Sequence, residues 1–295
     1  MADPTLNFVS CPDAGNGHRM AYWQWGADDA AHTIVCVHGL TRQGRDFDVL
    51  AQALLARAST PLRVVCPDVA GRGMSDWLSD PAGYAIPYYS GDMLALLAQL
   101  KPQTLDWVGT SMGGLIGLAV CVHAKAVGAS VRRLVLNDVG PVLEWESLQR
   151  IGAYLGKAMH FDSLQQAADA LAVIASSFGP HTPSQWLELS RHMVKPDLAG
   201  GVSVHYDPAI ALPFQDITQE VALQGEAALW ELYDAITAQT LLVRGADSDL
   251  LSLKTAAGMA QRGPKARLLE FAGVGHAPTF VADDQVDAVA SFLLA

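Results

Sequence analysis

From about Leu6 to Trp25, apolar and polar positions alternate on either side of the turn-like stretch Pro12 to Gly17. A period of two around glycine-rich punctuation predicts a leading antiparallel hairpin. The pattern then changes character. Thr33–Val37, Leu62–Cys66, Thr104–Val108, Arg133–Asn137, Thr240–Arg244 and Arg267–Phe271 are short, mostly apolar runs, as expected of strands covered on both faces. Helical patterns lie between them, from about Phe47 to Ala58, from Tyr88 to Leu100 and directly after Ser111. An amphipathic stretch from Asp283 to Leu294 closes the chain. Strands alternating with helices at this spacing predict an α/β fold: a mainly parallel eight-stranded sheet flanked by helices.

The alternation stops at Gly140 and resumes only after Ala235. Within that interval, helices are expected near Leu148–Met159, Leu164–Ser176, Pro183–Val194 and Ala227–Ala235, with a loop-like Lys195–Gln215. Such a stretch between two strands reads as a helical cap over a cleft. The expected organisation is therefore a core domain formed by residues 1–139 and 236–295, with a helical cap, or lid, inserted at 140–235.

Composition narrows the functional classes. With 295 residues, 51% of them hydrophobic and 17% charged, the chain can bury one large core. Its 19 Lys and Arg residues are scattered against 30 Asp and Glu, for a formal net charge of −11, which argues against nucleic acid or an anionic membrane as partner. The opening residues, Met1 to Asn7, carry no basic segment and no long apolar run, so a cytoplasmic location is the expectation. Cys36, Cys66 and Cys121 lie in apolar runs and Cys11 in a polar loop, none at a metal or redox spacing. Free thiols, no metal and no cofactor are expected. The glycine-rich Pro67–Asp76 lacks the lysine-serine pair of a phosphate cradle.

The chemistry centres on Trp107 to Gly117, a short strand that ends in Ser111 and runs straight into a small-residue helix. A serine on so tight a turn projects its hydroxyl into a cleft, and the turn tolerates only small residues two positions to either side, here Gly109 and Gly113. The helix N-terminus leaves the Met112 N–H available to developing negative charge. A second such donor is the Leu40 N–H in His38-Gly39-Leu40, where His38 is read as shaping the loop and Gly39 as permitting close backbone approach. Arg42 is read as a salt-bridged arginine, with contact to an acidic substrate group as its functional alternative. Of the nine histidines, His276, in a small-residue loop after the last strand, is the candidate base. An imidazole in that role needs a carboxylate. Asp249, just before the helix that starts near Ser252, is the expected acid and Asp247 the alternative; Asp138 is a third candidate, read as structural or pocket-lining.

With Ser111, then Asp249, then His276 in chain order, His38-Gly39 upstream and Pro67 to Ser75 between, the sequence resembles the α/β-hydrolase fold family over nearly its whole length outside the cap. The resemblance implies a nucleophile at Ser111, an oxyanion hole at Leu40 and Met112, and a late acid and histidine. One position departs from it, because Ser248 stands where many members carry the acid. The expected function is a serine hydrolase cleaving small to medium, largely apolar carboxylic esters through an acyl-serine intermediate, as a monomer or homodimer. A carbon–carbon bond hydrolase or lactonase with the same triad is the alternative, and a non-catalytic small-molecule-binding protein is the alternative of another class. Trp145, Tyr154, Phe161, Phe178, Trp186, Tyr206, Phe214 and Trp230 are read first as cap core and second as pocket lining.

Overall fold

In the computed structural model, which describes residues 3–13, 15–215 and 217–295, β1 (Thr5–Cys11) and β2 (His18–Gly26) form the leading hairpin. Of the expected turn between them, Ala14 lies outside the described residues, as do Met1, Ala2 and Asp216. Cys11, expected in a loop, is instead the last residue of β1, buried opposite His18. The first half continues through β3 (His32–Val37), α1 (Asp48–Arg57), β4 (Leu62–Pro67), α2 (Ile86–Leu100), β5 (Thr104–Thr110), α3 (Met112–His123) and β6 (Val131–Asn137).

The long insert holds α4 (Trp145–Tyr154), β7 (His160–Phe161), α5 (Leu164–Ile174), α6 (Pro183–Arg191), β8 (Val194–Pro196), β9 (Val202–Val204), α7 (Leu212–Gln215) and α8 (Gln219–Asp234). Then come β10 (Gln239–Gly245), α9 (Leu253–Met259), β11 (Arg267–Phe271) and α10 (Asp283–Leu294). Among the described residues, β1-β2-β4-β3-β5-β6-β10-β11 form one eight-stranded sheet in that order. Only the β1–β2 and β2–β4 pairings are antiparallel.

Burial explains the apolar runs. Ile34 to Val37 and Val64 to Cys66 are wholly inaccessible, because one layer of helices including α2 and α3 covers one face of the sheet while α1 and α10 cover the other. Small residues let α3 lie close: a Cβ at Gly117 would stand 2.5 Å from the Trp107 indole nitrogen.

The insert is less helical than its sequence pattern implies. Strands β7, β9 and β8 form a small antiparallel sheet where helix and loop are expected; at two or three residues each, they are too short to display a period of two. Helix α4 stops at Tyr154 rather than Met159, ahead of Gly156, which takes a left-handed φ of 75°. Helix α8 begins at Gln219 rather than Ala227, where the Thr218 hydroxyl accepts from the Val221 N–H as an N-cap.

Candidate active site

Strand β5 and helix α3 meet at Ser111, whose backbone sits at φ 51° and ψ −116°. That region is costly for a residue with a Cβ, and it persists only where the surroundings over-determine it. Here the Ser111 N–H donates to the Asn137 carbonyl at 3.0 Å, and the Ser111 carbonyl accepts from Gly114 N–H at 2.8 Å. The flanking glycines are steric necessities: a Cβ on Gly109 would lie 2.3 Å from the Gly113 oxygen, and one on Gly113 would lie 2.0 Å from the Val37 oxygen.

His276, in the loop after β11, places Nε2 3.0 Å from the Ser111 hydroxyl oxygen. Its Nδ1 lies 2.8 Å from Oδ2 of Asp138. A carboxylate accepts, so Nδ1 carries the hydrogen and Nε2 is left to accept from the serine hydroxyl. That is the tautomer a general base requires.

The carboxylate that reaches the imidazole is therefore that of Asp138, and not that of Asp249 or Asp247. Asp249 is exposed, and its carboxylate accepts from Arg150 Nη2 at 2.6 Å. Asp247 is also exposed and makes no hydrogen bond to the imidazole. Asp138 is wholly buried, directly after β6, with a positive φ of 54°. Strand β6 lies between β5 and β10, so its carboxyl end emerges beside the nucleophile. Three donors converge on this carboxylate: Gly245 N–H on Oδ1 at 3.0 Å, and both His276 and the Ser248 hydroxyl, at 2.6 Å, on Oδ2. Ser248, the position that departs from the resemblance, thus hydrogen-bonds the aspartate that touches the histidine.

Leu40 lines the same cavity as Ser111, and Met112 follows Ser111 directly. Met112 opens α3, so its N–H is one of the first-turn donors without an intrahelical acceptor. At Leu40 the orientation is set by neighbours. The His38 Nε2 accepts from Val69 N–H at 2.9 Å, which leaves Nδ1–H to donate to the Gly39 oxygen at 2.7 Å. In a trans peptide, N–H and C=O point in opposite directions, so anchoring the Gly39 oxygen turns the Leu40 N–H the other way. Arg72, also wholly buried, donates from Nε to the Leu40 oxygen at 2.8 Å and fixes the next peptide. Burial depresses the His38 imidazole to about 3, which keeps it neutral in that role. Arg72 escapes sequence reasoning because nothing local marks it.

Above Ser111 lies a cavity of about 200 Å³, walled by the core on one side and the insert on the other. Tyr154, Phe161, Phe178 and Tyr206 line it. The other insert aromatics do not: Trp186 packs with Ala175 and Leu189, Trp145 and Phe214 line a separate depression, and Trp230 packs edge-on against Tyr233. Arg42 lines the cavity but is ion-paired to Asp46. The insert also grips the histidine loop. Gly275 N–H donates to the Ser177 oxygen at 2.6 Å, the Ser177 hydroxyl to the His276 oxygen at 3.1 Å, and His181 Nε2 lies 2.7 Å from the Thr279 hydroxyl.

Among the described residues, one group of side chains is close enough to hold a metal ion, Cys11 with His18 and Asp92. Burial and the Asp92 charge push the Cys11 thiol far above its ordinary range. No helix among the described residues is long and apolar enough to cross a membrane.

Comparison with known proteins shows the family. The profile of the Alpha/beta hydrolase family matches residues 34–292. A 3-hydroxybutyrate-oligomer hydrolase from Cupriavidus necator is 48% identical over 290 residues, covering 97% of this chain and 96% of that protein. A 2-hydroxymuconate semialdehyde hydrolase from a Pseudomonas species is 24% identical over 221 residues, covering 72% of this chain and 70% of that one. Among solved structures, an alpha/beta hydrolase from Novosphingobium aromaticivorans superposes with a TM-score of 0.84 at 34% identity, covering 99% of both chains.

Proposed function

Because the chain belongs to the alpha/beta hydrolase family, we propose that it hydrolyses short aliphatic oligoesters of the 3-hydroxybutyrate type through an acyl-serine intermediate. The observation that carries the mechanism is the continuous chain from the Ser111 hydroxyl to His276 Nε2 at 3.0 Å and from Nδ1 to Asp138 at 2.8 Å. His276 takes the hydroxyl proton as Ser111 Oγ attacks the ester carbonyl, and the buried Asp138 carboxylate stabilises the imidazolium that forms. The oxyanion is met by the N–H groups of Leu40 and Met112, each worth roughly 3–4 kcal/mol in the transition state. His276 then returns its proton to the departing alkoxide. A water molecule, deprotonated by the same imidazole, attacks the acyl carbon and releases the acid.

The substrate class rests on the 48% identical relative and on a mostly aliphatic and aromatic cavity wall, which suits a chain of methyl-bearing repeat units whose polar atoms are ester oxygens. The test is hydrolysis of 3-hydroxybutyrate dimer, trimer and tetramer beside p-nitrophenyl butyrate, with fluorophosphonate labelling mapped by peptide mass. Labelling at Ser111 and a loss of about 10⁶-fold in kcat for Ser111→Ala are the expected results. Equal turnover by the alanine variant overturns the serine mechanism, and ester turnover without oligomer turnover overturns the substrate class.

A further inference from the structure

Resting on that oligoester reading, we propose that Arg150 binds the free carboxylate at the end of the substrate chain and makes the enzyme selective for oligomers with an acid terminus. A 3-hydroxyacid oligomer has one hydroxyl end and one carboxylate end, and at neutral pH the latter is charged. A carboxylate that enters a largely apolar cavity loses water and needs a cation to replace it.

The cavity wall contains two arginines, and they differ in what they have left to give. Arg42 is committed to the protein. Its Nε and Nη2 both bond Asp46, Nη2 also donates to the Leu189 oxygen at 3.2 Å, and Nη1 lies against the Met193 sulfur. Arg150, on α4, has one hydrogen bond among the described residues, from Nη2 to Asp249, so Nε and Nη1 remain available as donors. That ion pair is half exposed on both sides, and exposed pairs are weak. An incoming carboxylate can share the guanidinium with Asp249 or replace it. Tyr154, one helical turn further along α4, lines the same cavity close enough for the Arg150 charge to act on its phenol. The guanidinium fork suits a carboxylate in a way that a lysine would not.

The experiment compares kcat/KM for the free-acid trimer of 3-hydroxybutyrate with that for its methyl ester, in wild type, Arg150→Gln and Arg150→Lys. Wild type is expected to favour the free acid about threefold, and Arg150→Gln to erase that preference mainly through KM. Arg150→Lys should restore part of it, and added salt should reduce it in wild type. A wild-type ratio near one, or a ratio unmoved in Arg150→Gln, overturns the anchor and leaves the oligoester reading intact. Failure of wild type to hydrolyse either trimer, with p-nitrophenyl butyrate still turned over, overturns both.

Discussion

The end of β6 and the loop after β10 belong to neighbouring parallel strands, and each presents an aspartate at the carboxyl edge of the sheet. Asp138 is inaccessible to water, held by Gly245 N–H and the Ser248 hydroxyl, and bonded to His276. Asp249 is exposed and bonded to an arginine of the insert. A carboxylate supports an imidazolium only where water does not screen it and where other donors fix its oxygens. The contrast teaches that surroundings, rather than place in a familiar order of residues, distinguish the two.

The largest effect should come from neutralising Asp138, with the same change at Asp249 as its control. Asp138→Asn keeps the shape but not the charge, and kcat/KM for p-nitrophenyl butyrate should fall about ten-thousand-fold. Asp249→Asn should cost less than about threefold, because an exposed pair contributes little. A reversal of that order in the same assay would return the acid to the β10 loop. An intermediate effect tests the link between the two regions. Ser248→Ala removes one donor from Asp138 and should lower kcat/KM about tenfold. Ser248→Thr, which keeps the hydroxyl, should restore most of the rate; a rate that stays low in the threonine variant would mean that the hydroxyl is not what Asp138 needs.

The smallest effect extends the comparison to a third carboxylate, the buried Asp92. Its hydrogen bond to His18, at 3.0 Å, is the main reason that the His18 imidazole titrates above its ordinary value, against the opposing effect of burial. A pKa raised by folding stabilises the protein fully below the unfolded value, near 6.5, and that contribution is lost as pH rises through the folded value. Thermal midpoints recorded upward from pH 6 should therefore fall more steeply in wild type than in His18→Gln. Parallel curves would show that the pair contributes nothing to pH dependence.

Much of this was legible in the sequence. Strands buried on both faces write themselves as apolar runs, and Ser111 is announced by glycines that the structure shows to be sterically required. His276 was legible for a similar reason, since it stands in a small-residue loop after the final strand. The carboxylate that His276 meets was not, because two aspartates in a loop look like a site, whereas a single Asn137-Asp138 at a strand end looks structural. One signal pointed the other way, the serine at position 248; that β6 lies beside β5 is visible only in the fold. The small sheet of the insert was hidden by its brevity. Arg72 was hidden because its partners, the Leu40 oxygen and the Tyr89 hydroxyl, are distant in sequence.

The bonds from Ser177 and His181 to the loop that carries His276 bear on how this protein can be rebuilt. The insert looks like a removable module, yet it provides part of the scaffold on which the histidine rests. A chimera that exchanges residues 140–235 for the equivalent segment of another hydrolase would change the pocket and loosen the His276 loop at the same time. Such grafts will keep their turnover only when the segment around Ser177 to His181 is retained with the recipient.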